Sequence, residues 1–157
     1  RLRLYNHRDT LVKLEKKGKS GQYTLKESER VTRFFCKQII AGDFNFLKNS
    51  DSILQRDLYV QMKTRLLRPV VLVDYIREAY LHPLGNVRIT FDMKLKTGLR
   101  SIEFFNPGVG LIEVLRPGTL IMEVKFDQFL PQSIQKLLAG VKGERDSISK
   151  YVLCRSF

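Results

Sequence analysis

Four short stretches of the chain alternate charged and apolar residues with the two-residue period of a β-strand. They are Arg1–Leu4, Val12–Lys17, Val87–Phe91 and Met122–Phe126. Because successive side chains of a strand point to opposite faces, each stretch carries charge, mostly basic, on one face and apolar groups on the other. Strands of this kind predict a sheet that packs its apolar face against other elements and turns its basic face toward something strongly anionic.

The overall charge agrees with this pattern. The 157 residues include 28 Lys and Arg but only 16 Asp and Glu, for a net charge of +12. Such an excess favours a polyanionic partner, for example nucleic acid, polyphosphate, a phosphorylated metabolite or an anionic membrane. The length suits one domain with a real core. No apolar run approaches the roughly 20 residues of a membrane span, and no signal peptide is recognisable, so we expect a cytoplasmic protein.

Cysteine and histidine contribute little to a functional prediction. Cys36 and Cys154 are far apart and share no motif, so we expect two buried thiols in a reducing compartment. His7 and His82 both lie beside predicted turns. The sequence therefore offers no recognisable zinc site and no Ser/His/Asp set.

The periodicity and turn signals predict an α+β protein with mostly antiparallel strands. Helices are predicted near 31–39, ended by Gly42, from Asp51 or Ser52 onward, and after Pro131. The segment 147–154 fits either a helix or a strand, and a loop over 82–86 would join two strands into a hairpin. The predicted strands are 1–5, 11–17, 22–26, 69–77, 87–92 and 119–126.

A sheet of this composition could close into a barrel, with helices over its apolar outer face and charge inside. The residues predicted to face the interior are Arg1, Arg3, Lys13, Glu15, Lys17, Lys26, Arg77, Arg88, Glu123 and Lys125. A dry core could not hold so many cations, so the interior would contain water, an anion or both. The alternatives are an open sheet with a solvated basic face, and a nucleic-acid interface. The latter is less favoured, because Tyr5 and Tyr75 are the only aromatic residues with the same parity.

Several segments, in their order along the chain, match one known family. The chain resembles the VTC domain, the polyphosphate polymerase domain of the triphosphate tunnel (CYTH-like) superfamily. The segments that carry the resemblance are Arg1–Tyr5, Leu14–Lys17, Leu25–Ser28, Leu66–Val71, Tyr75–Tyr80, Val87–Asp92, Met122–Lys125 and Ser147–Tyr151.

The resemblance implies a single domain over residues 1–157, built as an antiparallel β-tunnel with a basic interior and helices outside. It implies Mn or Mg as a cofactor, and transfer of the terminal phosphate of ATP to polyphosphate. By this likeness Glu123 would bind the metal, and the reaction centre would contain Lys17, Arg77, Arg88 and Lys125. The phosphate-binding residues would be Arg1, Arg3, Lys17, Lys26, Arg77, Arg88, Lys125 and Lys150.

The resemblance also bears on what surrounds this sequence. The family domain begins before the position of Arg1, with a strand that bears another tunnel-wall lysine, so we expect a fragment that lacks its N-terminal strand. Without an inositol-phosphate-sensing domain or a membrane segment, the chain is similar to the free-standing prokaryotic members. Three alternatives to the polymerase stay open: a triphosphate hydrolase, a non-catalytic module that binds polyphosphate or another polyanion, and a nucleic-acid binder.

Overall fold

The computed structural model describes residues 1–21, 23–99 and 101–157, which form seven strands and four α-helices. The predicted α+β class with antiparallel strands is confirmed. The strands are β1 Leu2–Tyr5, β2 Arg8–Ser20, β3 Tyr23–Val31, β4 Val73–His82, β5 Val87–Thr97, β6 Ile112–Glu113 and β7 Ile121–Lys125. The helices are α1 Arg33–Ala41, α2 Ile53–Thr64, α3 Gln132–Ala139 and α4 Lys150–Ser156.

The chain divides into two compact units. The first contains Arg1–Val70 and Ile102–Gly108, and the second contains Val71–Ser101 and Val109–Phe157. Within the described residues the strands form a three-stranded and a four-stranded sheet, neither of which closes on itself. The α+β class is therefore established, while the closed β-tunnel and the single domain over 1–157 stay predictions. No helix in the described part of the chain is both long and apolar enough to cross a membrane.

The first unit is an antiparallel sheet in the order β1-β2-β3 with two helices against one face. Leu2 pairs with Leu14 across β1 and β2, and Val12 pairs with Val31 across β2 and β3. These apolar residues belong to one core with both helices, as alternation predicts for that face. The buried members of the core are Val12, Leu14, Phe35, Cys36, Ile39, Leu47, Leu54 and Met62.

Side-chain caps set the helix ends in this unit. The Thr32 hydroxyl accepts a hydrogen bond from the Phe35 amide at 3.1 Å, and Gly42 ends α1 in the left-handed region at φ 85°. Ser52 caps α2 in the same way as Thr32 caps α1. The four-residue spacing of Leu54, Leu58, Met62 and Leu66 predicts a helix that includes Leu66, but the helix ends at Thr64. Leu66 lies beyond the helix with φ 54° and is exposed.

The second unit is built around β5, which pairs with β4 on one edge and with β6 and β7 on the other. His82 pairs with Val87, so the hairpin loop has four residues rather than the five predicted. The strand predicted from Pro69 begins only at Val73, and the ambiguous segment near the C-terminus is helical as α4. This helix docks by a hydrogen bond of 2.9 Å, which the Thr97 hydroxyl donates to the carbonyl oxygen of Cys154.

Candidate functional site

The basic side chains of the first unit gather on the sheet face opposite the helices. Cross-strand pairing places Arg3 beside Lys13, Lys13 beside Arg30, and Lys17 beside Lys26. Because directly paired residues project from the same face, these cations share one surface. We call this surface the N-terminal basic face, formed by Arg1, Arg3, Lys13, Lys17, Lys26 and Arg30 around Glu15.

Glu15 is the buried centre of the N-terminal basic face, with only 4% of its surface exposed. Its carboxylate accepts a hydrogen bond from Arg1 Nε at 2.5 Å. Arg3 Nε and Lys26 Nζ lie 3.5 and 3.7 Å from its oxygens. Burial alone would raise the pKa of Glu15, but the hydrogen bond from Arg1 and the three positive charges outweigh burial and lower it. Glu15 therefore stays ionised and organises three of the predicted phosphate-binding cations.

The second unit has a corresponding surface on β4, β5 and β7. Arg77 pairs with Asp92, Thr90 with Glu123, and Arg88 with Lys125. Lys150 joins them from α4 through its ion pair with Asp92. We call this surface the C-terminal charged face, formed by Arg77, Arg88, Thr90, Asp92, Glu123, Lys125 and Lys150.

One end of the C-terminal charged face is a tight ionic cluster. Asp92 is fully buried, and its two oxygens accept from Arg77 Nε at 2.6 Å and from Arg77 Nη2 at 2.7 Å. Lys150 Nζ lies 2.6 Å from the same carboxylate. The Tyr75 ring supports both cations, with Arg77 Cζ at 5.3 Å and Lys150 Nζ at 5.4 Å from its centroid.

Charge pairing also sets the protonation of this cluster. Burial would raise the pKa of Asp92, but the hydrogen bonds from Arg77 and Lys150 and their charges lower it. The hydrogen bond with Asp92 in turn raises the pKa of Arg77. Asp92 and Arg77 are therefore ionised at neutral pH, and the cluster contains two basic side chains for one acidic side chain.

The other end of the face is more open. Arg88 is exposed and has Leu81 and Lys125 as its cross-strand neighbours. The hairpin predicted from the sequence would place Arg77 across from Arg88. This prediction is wrong, because Leu81, the partner of Arg88, is the fourth residue after Arg77 on β4. At about 3.4 Å per residue this offset is roughly 13 Å along the strand. The two arginines are thus attached to the sheet at opposite ends of one face.

The middle of the face offers two oxygen donors to a metal, the Glu123 carboxylate and the Thr90 hydroxyl. Glu123, with 44% of its side chain exposed, lies 3.3 Å from Lys125 Nζ. The cross-strand neighbour of Glu123 is Thr90, which is 2% exposed and whose hydroxyl has no hydrogen-bond partner in the described structure. The described residues include no cluster of three or more His, Cys, Asp or Glu that could hold a metal ion. This donor set fits Mg²⁺ or Mn²⁺ only if phosphate and water supply most ligands, as they commonly do for Mg²⁺.

The structure places all nine predicted site residues on these two surfaces. Arg1, Arg3, Lys17 and Lys26 lie on the N-terminal basic face, and Arg77, Arg88, Glu123, Lys125 and Lys150 lie on the C-terminal charged face. Sequence reasoning missed three further members: Arg30, Thr90 and Asp92. The signal for Thr90 and Asp92 was available, because both have the parity of Arg88 on the same strand.

The model of the VTC domain matches the chain over residues 1–157, its whole length. No curated protein and no solved structure gives a significant match.

Proposed function

Because the chain belongs to the VTC domain family, whose members are associated with polyphosphate, we propose that it transfers phosphoryl groups from ATP to a polyphosphate chain. The observation that carries this proposal is the gathering of Arg77, Arg88, Lys125 and Lys150 on one sheet face beside a carboxylate. Guanidinium and ammonium groups are the side chains that proteins use to hold phosphate. The closed β-tunnel of the family belongs to this proposal as well.

The proposed reaction needs no nucleophile from the protein. A terminal oxygen of the acceptor polyphosphate attacks the γ-phosphorus of ATP, and the new P–O bond forms as the bond to the bridging β,γ-oxygen breaks. The electron pair of that bond leaves with ADP, and the acceptor grows by one phosphate. Catalysis of such a transfer is mostly positioning and charge neutralisation. Hydrolysis is the same reaction with water as the acceptor.

Each part of the C-terminal charged face has a role in this scheme. Arg88 and Lys125 are exposed side by side and can follow the phosphate chain. Arg77 and Lys150 are held by Asp92 and Tyr75, so they meet the phosphates with little loss of side-chain freedom. On the N-terminal basic face, the proposal gives phosphate binding to Arg1, Arg3, Lys17 and Lys26.

The proposed metal would be held by Glu123, with the Thr90 hydroxyl beside it. When bound, Mn²⁺ or Mg²⁺ neutralises charge that develops on the reacting phosphates. Without metal, the Glu123 carboxylate would repel the substrate, although Lys125 offsets part of its charge at 3.3 Å.

The test is incubation of the purified protein with ATP and Mn²⁺, read as polyphosphate formed over time. We expect product from the unchanged protein and little from Arg88→Gln and Glu123→Gln, both of which alter side chains that are not buried. Arg116→Gln is the matched control, because Arg116 is exposed and belongs to neither surface. Full activity of Glu123→Gln at saturating Mn²⁺ and Mg²⁺ would refute its role as a ligand.

A second candidate is a module that binds polyphosphate without reacting it. The observation that favours this candidate is the scarcity of metal ligands. In the described part of the chain, no group of three or more His, Cys, Asp or Glu residues forms a metal site around Glu123. A pure binder would show the same affinity for tripolyphosphate with and without Mn²⁺, and would form no product.

A further inference from the structure

A row of three cations crosses the first sheet and extends beyond the residues assigned so far. Arg3 on β1 pairs with Lys13 on β2, and Lys13 pairs with Arg30 on β3. Neighbouring strands are about 4.8 Å apart, so three positive side chains project side by side from one face. Like charges placed directly opposite each other destabilise a sheet.

Only the Arg3 end of this row lies beside an acid, because Arg3 Nε is 3.5 Å from the Glu15 carboxylate. Glu15 lies in the adjacent row, and its carboxylate is already shared among Arg1, Arg3 and Lys26. Arg30 Nη2 donates to the carbonyl oxygen of Thr10 at 3.2 Å, a neutral partner that leaves its charge uncompensated. Lys13 forms no ion pair with another described residue. The row therefore keeps a concentration of positive charge at a cost in stability.

We propose that the row Arg3–Lys13–Arg30 is a further phosphate-binding subsite, which takes one segment of a linear polyphosphate chain. Lys13 and Arg30 are not among the residues that the family resemblance assigns to phosphate. The inference rests on the proposed function, because it assumes a long phosphate chain as the ligand. A long chain is required because Lys17 and Lys26 lie four residues from Lys13 and Arg30 along their strands. That offset is roughly 13 Å on the same face.

Two measurements, the melting temperature and the affinity for polyphosphate, distinguish this subsite from an ordinary surface lysine. In the absence of anions, Lys13→Gln relieves repulsion on both sides, so its melting temperature should rise. In the presence of long-chain polyphosphate, the same variant should bind more weakly. The double variant Lys13→Gln/Arg30→Gln should lose roughly tenfold in affinity, the scale of a lost charge-assisted contact.

The matched control is Lys48→Gln/Lys63→Gln, which removes two exposed charges from the same unit away from the sheet face. Calorimetric titration compares long-chain polyphosphate with tripolyphosphate for the unchanged protein and both double variants. We expect the Lys13/Arg30 variant to lose affinity for the long chain well beyond the control. It should lose little for tripolyphosphate, which is too short to need every subsite.

Three results would overturn the subsite. They are equal affinities of the two double variants, a lower melting temperature for Lys13→Gln without anions, and failure of the unchanged protein to bind the long chain. These results are separable from failure of the proposed transfer. A protein that shows the expected binding pattern but forms no polyphosphate from ATP has the subsite without the reaction.

Discussion

At the scale of single residues, buried carboxylates explain how each unit holds its cations. Glu15 in the first unit and Asp92 in the second are buried acids with several basic partners each. Neither acid neutralises its surface completely. Each instead fixes the position of two or three cations and leaves net positive charge, which is what a phosphate-binding surface requires.

Replacement of Asp92 with Asn should destabilise the protein at neutral pH by about 3 kcal/mol, on the scale of breaking a buried ion pair. The pKa of Asp92 is lowered in the folded state, so its contribution is present above the unfolded value near 3.9 and is lost as pH falls through the folded value. Urea unfolding at several pH values should therefore show a difference between the two proteins that shrinks in acid. A difference that is constant with pH would mean that Asp92 acts by packing alone.

Replacement of Arg88 with Ala should reduce polyphosphate affinity roughly tenfold without loss of stability. Arg88 is exposed, and neither of its cross-strand neighbours is acidic, so its removal breaks no ion pair with them. Titration with tripolyphosphate and a thermal melt measure the two effects. A lower melting temperature together with unchanged affinity would assign Arg88 to the fold rather than to the ligand.

Alternation along the strands was sufficient to place most of these residues. It predicted that Arg77 and Tyr75 share a face, which is confirmed by the distance of 5.3 Å between Arg77 Cζ and the centroid of the Tyr75 ring. It also predicted that Glu15 lies among cations, as its ion pair with Arg1 shows. It could not reveal which acids lie within reach of which bases, because ion pairs depend on register across strands. Lys150 could be assigned only by family resemblance, since it reaches Asp92 from a helix.

At the scale of secondary-structure elements, the boundaries departed from prediction wherever tertiary pairing overrode local pattern. Polar residues such as Glu29 and Arg30 lack the apolar stripe of a strand, yet β2 pairs with them and extends β3 to Val31. Gln22, the predicted first residue of that strand, lies outside the described residues. On β4 the pairing with β5 shifts between Asp74 and Ile76, a local irregularity that alternation cannot anticipate.

The thiols provide separate probes for two helices. Cys36 on α1 and Cys154 on α4 are both buried, as predicted, and burial raises the pKa of Cys36 to about 11 and also raises that of Cys154. Each thiol should therefore react with a thiol reagent only when its helix opens. Single-cysteine variants, Cys36→Ala and Cys154→Ala, allow the two openings to be timed independently.

We expect tripolyphosphate to slow labelling of Cys154 more than labelling of Cys36. Lys150 is the first residue of α4, so a ligand that Lys150 binds should hold this helix on its sheet. The variant Lys150→Gln, combined with Cys36→Ala, should abolish the protection. Equal protection of both thiols would point to global stabilisation instead of a ligand at α4.

At the scale of the whole molecule, the net charge of +12 makes almost any polyanion a possible ligand, so selectivity must come from the surfaces themselves. Proteins that bind single-stranded nucleic acid combine cations with aromatic side chains on which bases stack. Here the two tyrosines of the basic surfaces already contact cations. The centroid of the Tyr5 ring lies 5.9 Å from Arg3 Cζ, and the Tyr75 ring lies close to both Arg77 and Lys150. Stacking of a base on either ring would therefore compete with these contacts.

Linear polyphosphate should therefore displace nucleic acid from this protein more effectively than the reverse. The test is competition between long-chain polyphosphate and a fluorescent single-stranded DNA, with duplex DNA as a further competitor, at matched concentrations of phosphate. All three affinities should fall as salt rises, because each polyanion releases counterions on binding. The order of affinity should nevertheless persist, since it comes from the close rows of Lys and Arg and not from charge alone. If either DNA competes as well as polyphosphate at every salt concentration, the surfaces are general polyanion binders, and the assignment of polyphosphate as the ligand fails.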